Sequence, residues 1–156
     1  TEAIRLDSKD PLQFENRALA KVAKDDFKGA LEDYNKAVEL STDNPDLFHL
    51  RGIVKYYLDD HDGAIADHTK AIDLDPSNPA YYDDRALSRK EKEDYTGALE
   101  DLSSSIELYP TDADTFYQRG LVKLAMNNNY DACLDFKTAE ELGSPEAKAA
   151  IKKSCK

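Results

Sequence analysis

Apolar and small residues recur along this chain at steps of three and four, the spacing that gives a helix one dry face. LFHLRGIVKYYL at 47–58 is one such segment, and AIADHTKAIDL at 64–74 is the next. DDHDG separates them, and the equivalent breaks elsewhere are KDDFKG, EKEDYTG and NNNYD, all rich in turn formers. SNPAYY and TDADTF mark the other kind of boundary, where Asn, Pro and Asp end one helix and cap the next. The pattern predicts helical hairpins in tandem.

Those hairpins share a period. Written in rows of 34 from Pro11, the chain aligns without a gap, and Arg17, Arg51, Arg85 and Arg119 fall in one column. The next column holds Ala18, Gly52, Ala86 and Gly120, and three columns earlier stand Phe14, Phe48, Tyr82 and Phe116. The second half of each row carries Ala30, Ala64, Ala98 and Ala132, then Asp33, Asp67, Asp101 and Asp135. Tyr34, His68, Leu102 and Phe136 follow, then Ala37, Ala71, Ser105 and Ala139, with Leu40, Leu74, Leu108 and Leu142 closing the rows. A lone hairpin cannot bury both faces, so such units complete their cores by stacking. Glycine in a helix costs up to about 1 kcal/mol relative to alanine, so Gly52 and Gly120 imply helix contacts too close for a methyl group.

These columns resemble the tetratricopeptide repeat, with its aromatic at position 4, Gly or Ala at 8, Ala at 20, an aromatic near 24, Ala at 27 and Pro at 32. The likeness covers residues 11–144. Departures are Arg at position 7, His68 and Leu102 for an aromatic, Ser105 for Ala, and Thr42 and Ser144 where Pro76 and Pro110 keep the Pro column. The resemblance implies an all-α fold, a right-handed superhelical α-solenoid of four tandem 34-residue hairpins plus a C-terminal capping helix. The repeats are expected at 11–44, 45–78, 79–112 and 113–144, with the cap at 145–156. Residues 1–10 read as the remnant of a preceding repeat helix, because Ala3, Leu6 and Asp7 stand one period before Ala37, Leu40 and Ser41. On that reading Leu12, Phe14, Ala18 and Val22 should be less shielded than their counterparts, and any homo-oligomer should form through that end. At the other end Ser144, Pro145 and Glu146 form a helix start, and Ala147, Ala150 and Ile151 a modest apolar stripe.

Composition narrows the function. The formal net charge of -11, with 34% charged residues, argues against binding nucleic acid or an anionic membrane surface. No apolar stretch reaches the roughly 20 residues a membrane-spanning helix needs, so insertion is not expected. A hydrated, soluble protein fits this composition, in the cytoplasm or the periplasm alike. Cys133 and Cys155 match no zinc or redox motif and read as free or merely buried thiols. His61 and His68 stand in columns otherwise filled by packed side chains, which favours a structural role over a metal site. No Ser/His/Asp grouping, phosphate loop, HExxH or CxxC occurs, so neither enzymatic activity nor a cofactor is expected. The Arg and Asp columns read as ion-pair partners, since a guanidinium fork satisfies a carboxylate with two bonds.

The resemblance puts partner binding on the concave face formed by the first helix of each hairpin. The residues there are Glu15, Asn16 and Leu19 in the first repeat, and Asp46, His49, Leu50, Ile53 and Tyr57 in the second. The third offers Asp83, Asp84 and Leu87, and the fourth Asp114, Tyr117, Gln118 and Leu121. An apolar floor with aromatic handles and acidic walls suits a peptide or protein partner, basic where it meets the carboxylates. The carboxylate clamp of chaperone-binding relatives is not matched: Glu15, Leu19, Leu50 and Asp83 stand at its positions, and only Asn16 agrees. The expected function is a protein-interaction module; the alternative is a structural or self-assembling segment of a longer solenoid.

Overall fold

Each first helix starts at a side-chain cap. The computed structural model describes residues 10–155, in two compact units, Thr1–Pro76 and Ser77–Lys156. In the first unit α1 (Pro11–Val22) packs on α2 (Phe27–Leu40), α2 on α3 (Pro45–Tyr57), and α3 on α4 (His61–Leu74). The second unit repeats this scheme with α5 (Pro79–Glu91), α6 (Tyr95–Leu108), α7 (Ala113–Ala125) and α8 (Asn129–Glu141), and α9 (Pro145–Ser154) lies on α8. The described residues thus form an all-α array of helical hairpins with a final helix on the last. The reading of residues 1–10 as a helix remnant lies outside the described residues, apart from Asp10, which caps α1.

The caps explain the boundaries. Asp10, Asn44, Asn78 and Asp112 each accept a hydrogen bond from the backbone N–H two residues on, and in three cases proline follows. These side chains satisfy donors that a helix start leaves without an intrahelical partner. Asp26, Asp60 and Asp94 do the same for the N–H groups of Gly29, Gly63 and Gly97, and Asn128 for that of Asp131. As a result α4 begins at His61, inside the segment DDHDG that the apolar pattern assigned to a break. The turn itself is one left-handed residue, Asp25, Asp59, Glu93 or Asn127, with φ between 57 and 61°.

Packing within each hairpin is close. A Cβ on Gly52 would lie 2.7 Å from the His68 ring, and one on Gly120 2.5 Å from the Phe136 ring. Ala18 and Ala86, in the same column, are buried. So are Tyr34, His68, Leu102 and Phe136, which places His68 in a packed slot, while the His61 ring rests 5.3 Å from that of Tyr56. The expected under-shielding of the first hairpin is not seen: Leu12 is exposed, but so are Asp46 and Asp114 in its column, and the 8% of Phe14 matches the 7% of Phe48. Ala18 is fully covered. Position 8 is covered by the second helix of its own hairpin, as the close approach of Gly52 to His68 and of Gly120 to Phe136 shows.

At the last hairpin Gly143 takes φ 103°, ending α8, and the Ser144 hydroxyl accepts from the Ala147 N–H to start α9. Ala147 then joins Ala132, Phe136 and Ala139 in a core to which Ala150 and Ile151 add. One expectation is overturned here: Cys133 and Cys155 are not free thiols but a disulfide. The fold-back of α9 on α8 brings their Cα atoms to 5.7 Å, within the reach of such a bond.

Candidate functional site

The first helices are held in place by four copies of one charged cluster. Asp33 accepts from both forks of Arg17, and Asp67, Asp101 and Asp135 are held in the same way by Arg51, Arg85 and Arg119. The paired atoms of the last three lie 2.6–3.0 Å apart across the hairpin. A second cation completes each cluster: Lys21, Lys55, Arg89 or Lys123 lies 2.6–3.0 Å from the same buried carboxylate. Lys21, Lys55 and Arg89 also donate to the carbonyl of Gly29, Gly63 or Gly97 at the head of the second helix. Each guanidinium lies 5.4–5.8 Å from the centroid of the ring at position 4, a cation–π geometry. Burial works to raise the Asp33 carboxyl, yet the bonds and charges of Arg17 and Lys21 outweigh it and hold it below the ordinary range. The second cation was missed in the sequence, although 21, 55, 89 and 123 form a basic column.

With those cations turned toward Asp, the remaining residues of the first helices make the candidate faces. On α1 Asn16 and Leu19 are exposed and Glu15 half-buried; on α3 Asp46 and Tyr57 are exposed while His49, Leu50 and Ile53 are half-buried. Tyr57 stacks on Phe27 at 4.9 Å, and His49 leans on His68 at 5.4 Å. Burial, with the charge of Asp46 adding, raises the Glu15 carboxyl, and the Tyr34 hydroxyl is pushed up to about 12 by burial and then by Glu15. Glu15 on α1 is therefore coupled both to Tyr34 on α2 and to Asp46 on α3.

In the second unit Asp84, Leu87, Tyr117, Gln118 and Leu121 are half-buried, and Asp114 is exposed. Tyr117 lies 5.8 Å from Phe136, and Gln118 accepts from Lys90 at 3.3 Å, tying α7 to α5. Asp83 differs from its neighbour. Its carboxylate accepts from the Thr115 hydroxyl at 3.2 Å and from Ser105, and burial pushes its carboxyl up to about 6, with Asp112 and Asp84 adding. It is engaged with α6 and α7. The capping helix contributes more than shielding: a cavity of about 340 Å³ lies between α7 and α9, lined by Tyr117 and Leu121 on one side and Ala149, Ala150 and Lys153 on the other. Among the described residues no group of three or more His, Cys, Asp and Glu could hold a metal ion.

The tetratricopeptide-repeat family model matches residues 18–59, and the same columns recur through the later hairpins. Residues 18–59 thus carry a match to the tetratricopeptide repeat. No curated protein sequence matches it. Solved structures share its fold at low identity. A crystal structure of MamA superposes with a TM-score of 0.88 at 20% identity, over 94% of this chain and 86% of that one. YrrB, described as a TPR protein with an unusual peptide-binding site, gives 0.86 at 22%, over 97% and 78%. The first TPR of Spaghetti (RPAP3), bound to the HSP90 peptide SRMEEVD, gives 0.74 at 21%, over 78% and 96%.

Proposed function

We propose that this chain is a protein-interaction module whose first-helix faces hold a peptide or a segment of a partner protein. The observation that carries the reading is the division of labour on those helices. Their Arg column and the second cation of each cluster are turned onto buried Asp. On the first unit's helices Leu19, Leu50, Ile53 and Tyr57 then offer apolar surface beside the Asp46 carboxylate, and on the second unit's Leu87 and Leu121 stand with Asp84 and Asp114. Such a lining favours a basic segment with apolar anchors and repels an acidic one. The peptide-bound fold of Spaghetti and the peptide site of YrrB support the module reading, and the faces are ours to assign. A carboxylate clamp is not part of the proposal, since Glu15, Leu50 and Asp83 offer no cation at the matching positions.

The test is calorimetry with a pool of short basic–apolar peptides. Asp46→Lys with Asp84→Lys should weaken binding about tenfold and flatten its salt dependence, while Glu100→Lys on α6 changes neither. Asp83 is left alone, because its bonds to Thr115 and Ser105 make it part of the packing. Equal affinity in all variants would overturn the assignment of these faces.

A further inference from the structure

A larger cleft lies away from the first helices. It has a volume of about 680 Å³, within the range of ligand-binding clefts, and is walled by α8 and α9 alone. The Cys133–Cys155 disulfide lines it, so the covalent clip that fixes α9 to α8 also fixes its shape. Tyr130 and Leu134 stand four residues apart on one face of α8, 76% and 46% exposed, and Ile151 faces them from α9. Its charge is the informative part. In a chain of net charge -11 the charged side chains lining this cleft are Lys137 and Lys153, with no carboxylate among the lining residues.

We propose that this cleft docks an acidic segment of a partner protein, seating one aromatic or branched aliphatic side chain between Tyr130, Leu134 and Ile151. Acidic residues flanking that anchor meet Lys137 and Lys153. The anchor supplies the buried apolar contact, and the lysines set the sign of the partner's charge. A concave cleft of this size fits a side chain better than it fits a bilayer, and the net charge opposes an anionic lipid surface. The partner chemistry is the reverse of that proposed for the first helices, so the two sites select different segments. Because both cysteines line the cleft, its affinity also depends on their oxidation.

The experiment offers the immobilised protein two pools of short synthetic peptides with the same apolar residues, one rich in Asp and Glu, the other in Lys and Arg. The acidic pool should be retained by the parent and lost about tenfold in Lys137→Glu with Lys153→Glu. Tyr130→Ala with Leu134→Ala, an exposed pair whose loss leaves the core intact, should weaken it as well. Cys133→Ser with Cys155→Ser should lower retention, and Glu100→Lys on α6 should leave it unchanged. Failure of the parent to retain the acidic pool, or equal retention by the lysine variant, would overturn the proposal. So would charge-reversible sedimentation with phosphatidylserine vesicles in place of peptide capture.

Discussion

Asp83 ties the stability of the third hairpin to pH. Its folded carboxyl titrates near 6, against about 4 in an unfolded chain, so between those values the folded state holds a proton the unfolded state has released. Its contribution is complete below about pH 4 and is lost as pH rises through 6. Asp33 has the opposite sign, but its window lies below the ordinary carboxylate range. Asp83→Asn keeps an acceptor for Thr115 without the charge. The variant should be more stable than the parent at pH 7 by about 1 kcal/mol, with the gap closing as pH falls toward 4, as paired urea titrations would show. Gly52 makes a second prediction. Alanine there gains helix propensity but drives a Cβ into His68, and the overlap should win by about 1–2 kcal/mol, with Gly52→Leu worse. Combining Gly52→Ala with His68→Ala should cost less than the sum, a coupling that a double-mutant cycle measures. The Arg–Asp pairs were legible because both partners repeat at one spacing. Asp83 was not, because Thr115 and Ser105 are ordinary residues that only the packing of α6 and α7 brings to it.

Among the elements, the turns within hairpins are the least optimised. Asp25, Asp59 and Glu93 occupy the left-handed region that glycine and asparagine tolerate best, and only the fourth turn uses asparagine. Glu93→Gly should raise stability by about 1 kcal/mol, whereas Asn127→Gly should change it by a few tenths, differences that thermal melts resolve. The helices themselves were legible from their apolar spacing, and their starts from Asp, Asn and Pro, because capping is local chemistry. Where the pattern failed, at His61–Gly63, the Asp60 cap begins α4 before its first apolar residue. The disulfide was illegible for a different reason: Cys133 and Cys155 stand in no repeated column, and α9 lies beyond the period that aligned everything else. Opening it should let α9 exchange its amides independently of α8, while the amides of α5 and α6 keep their protection. Hydrogen exchange of Cys133→Ser with Cys155→Ser would show this, and joint exchange of both helices would contradict it.

For the molecule as a whole, the charged clusters alter the field that an approaching partner meets. Each of the four buried carboxylates lies against two cations that are themselves 13–33% exposed. Since the sum is fixed at -11, the groups outside the clusters are more negative than the total conveys. That outer charge gathers counterions and draws cationic chains in from beyond contact distance, out to roughly 10 Å at 0.1 M salt. Basic peptides should therefore associate faster as ionic strength falls, with little change in how quickly they leave, as stopped-flow mixing would reveal. The buried Asp column thus reaches beyond the hairpins it holds together. It fixes where eight of the chain's cations sit, and so the pattern of charge that an approaching molecule meets.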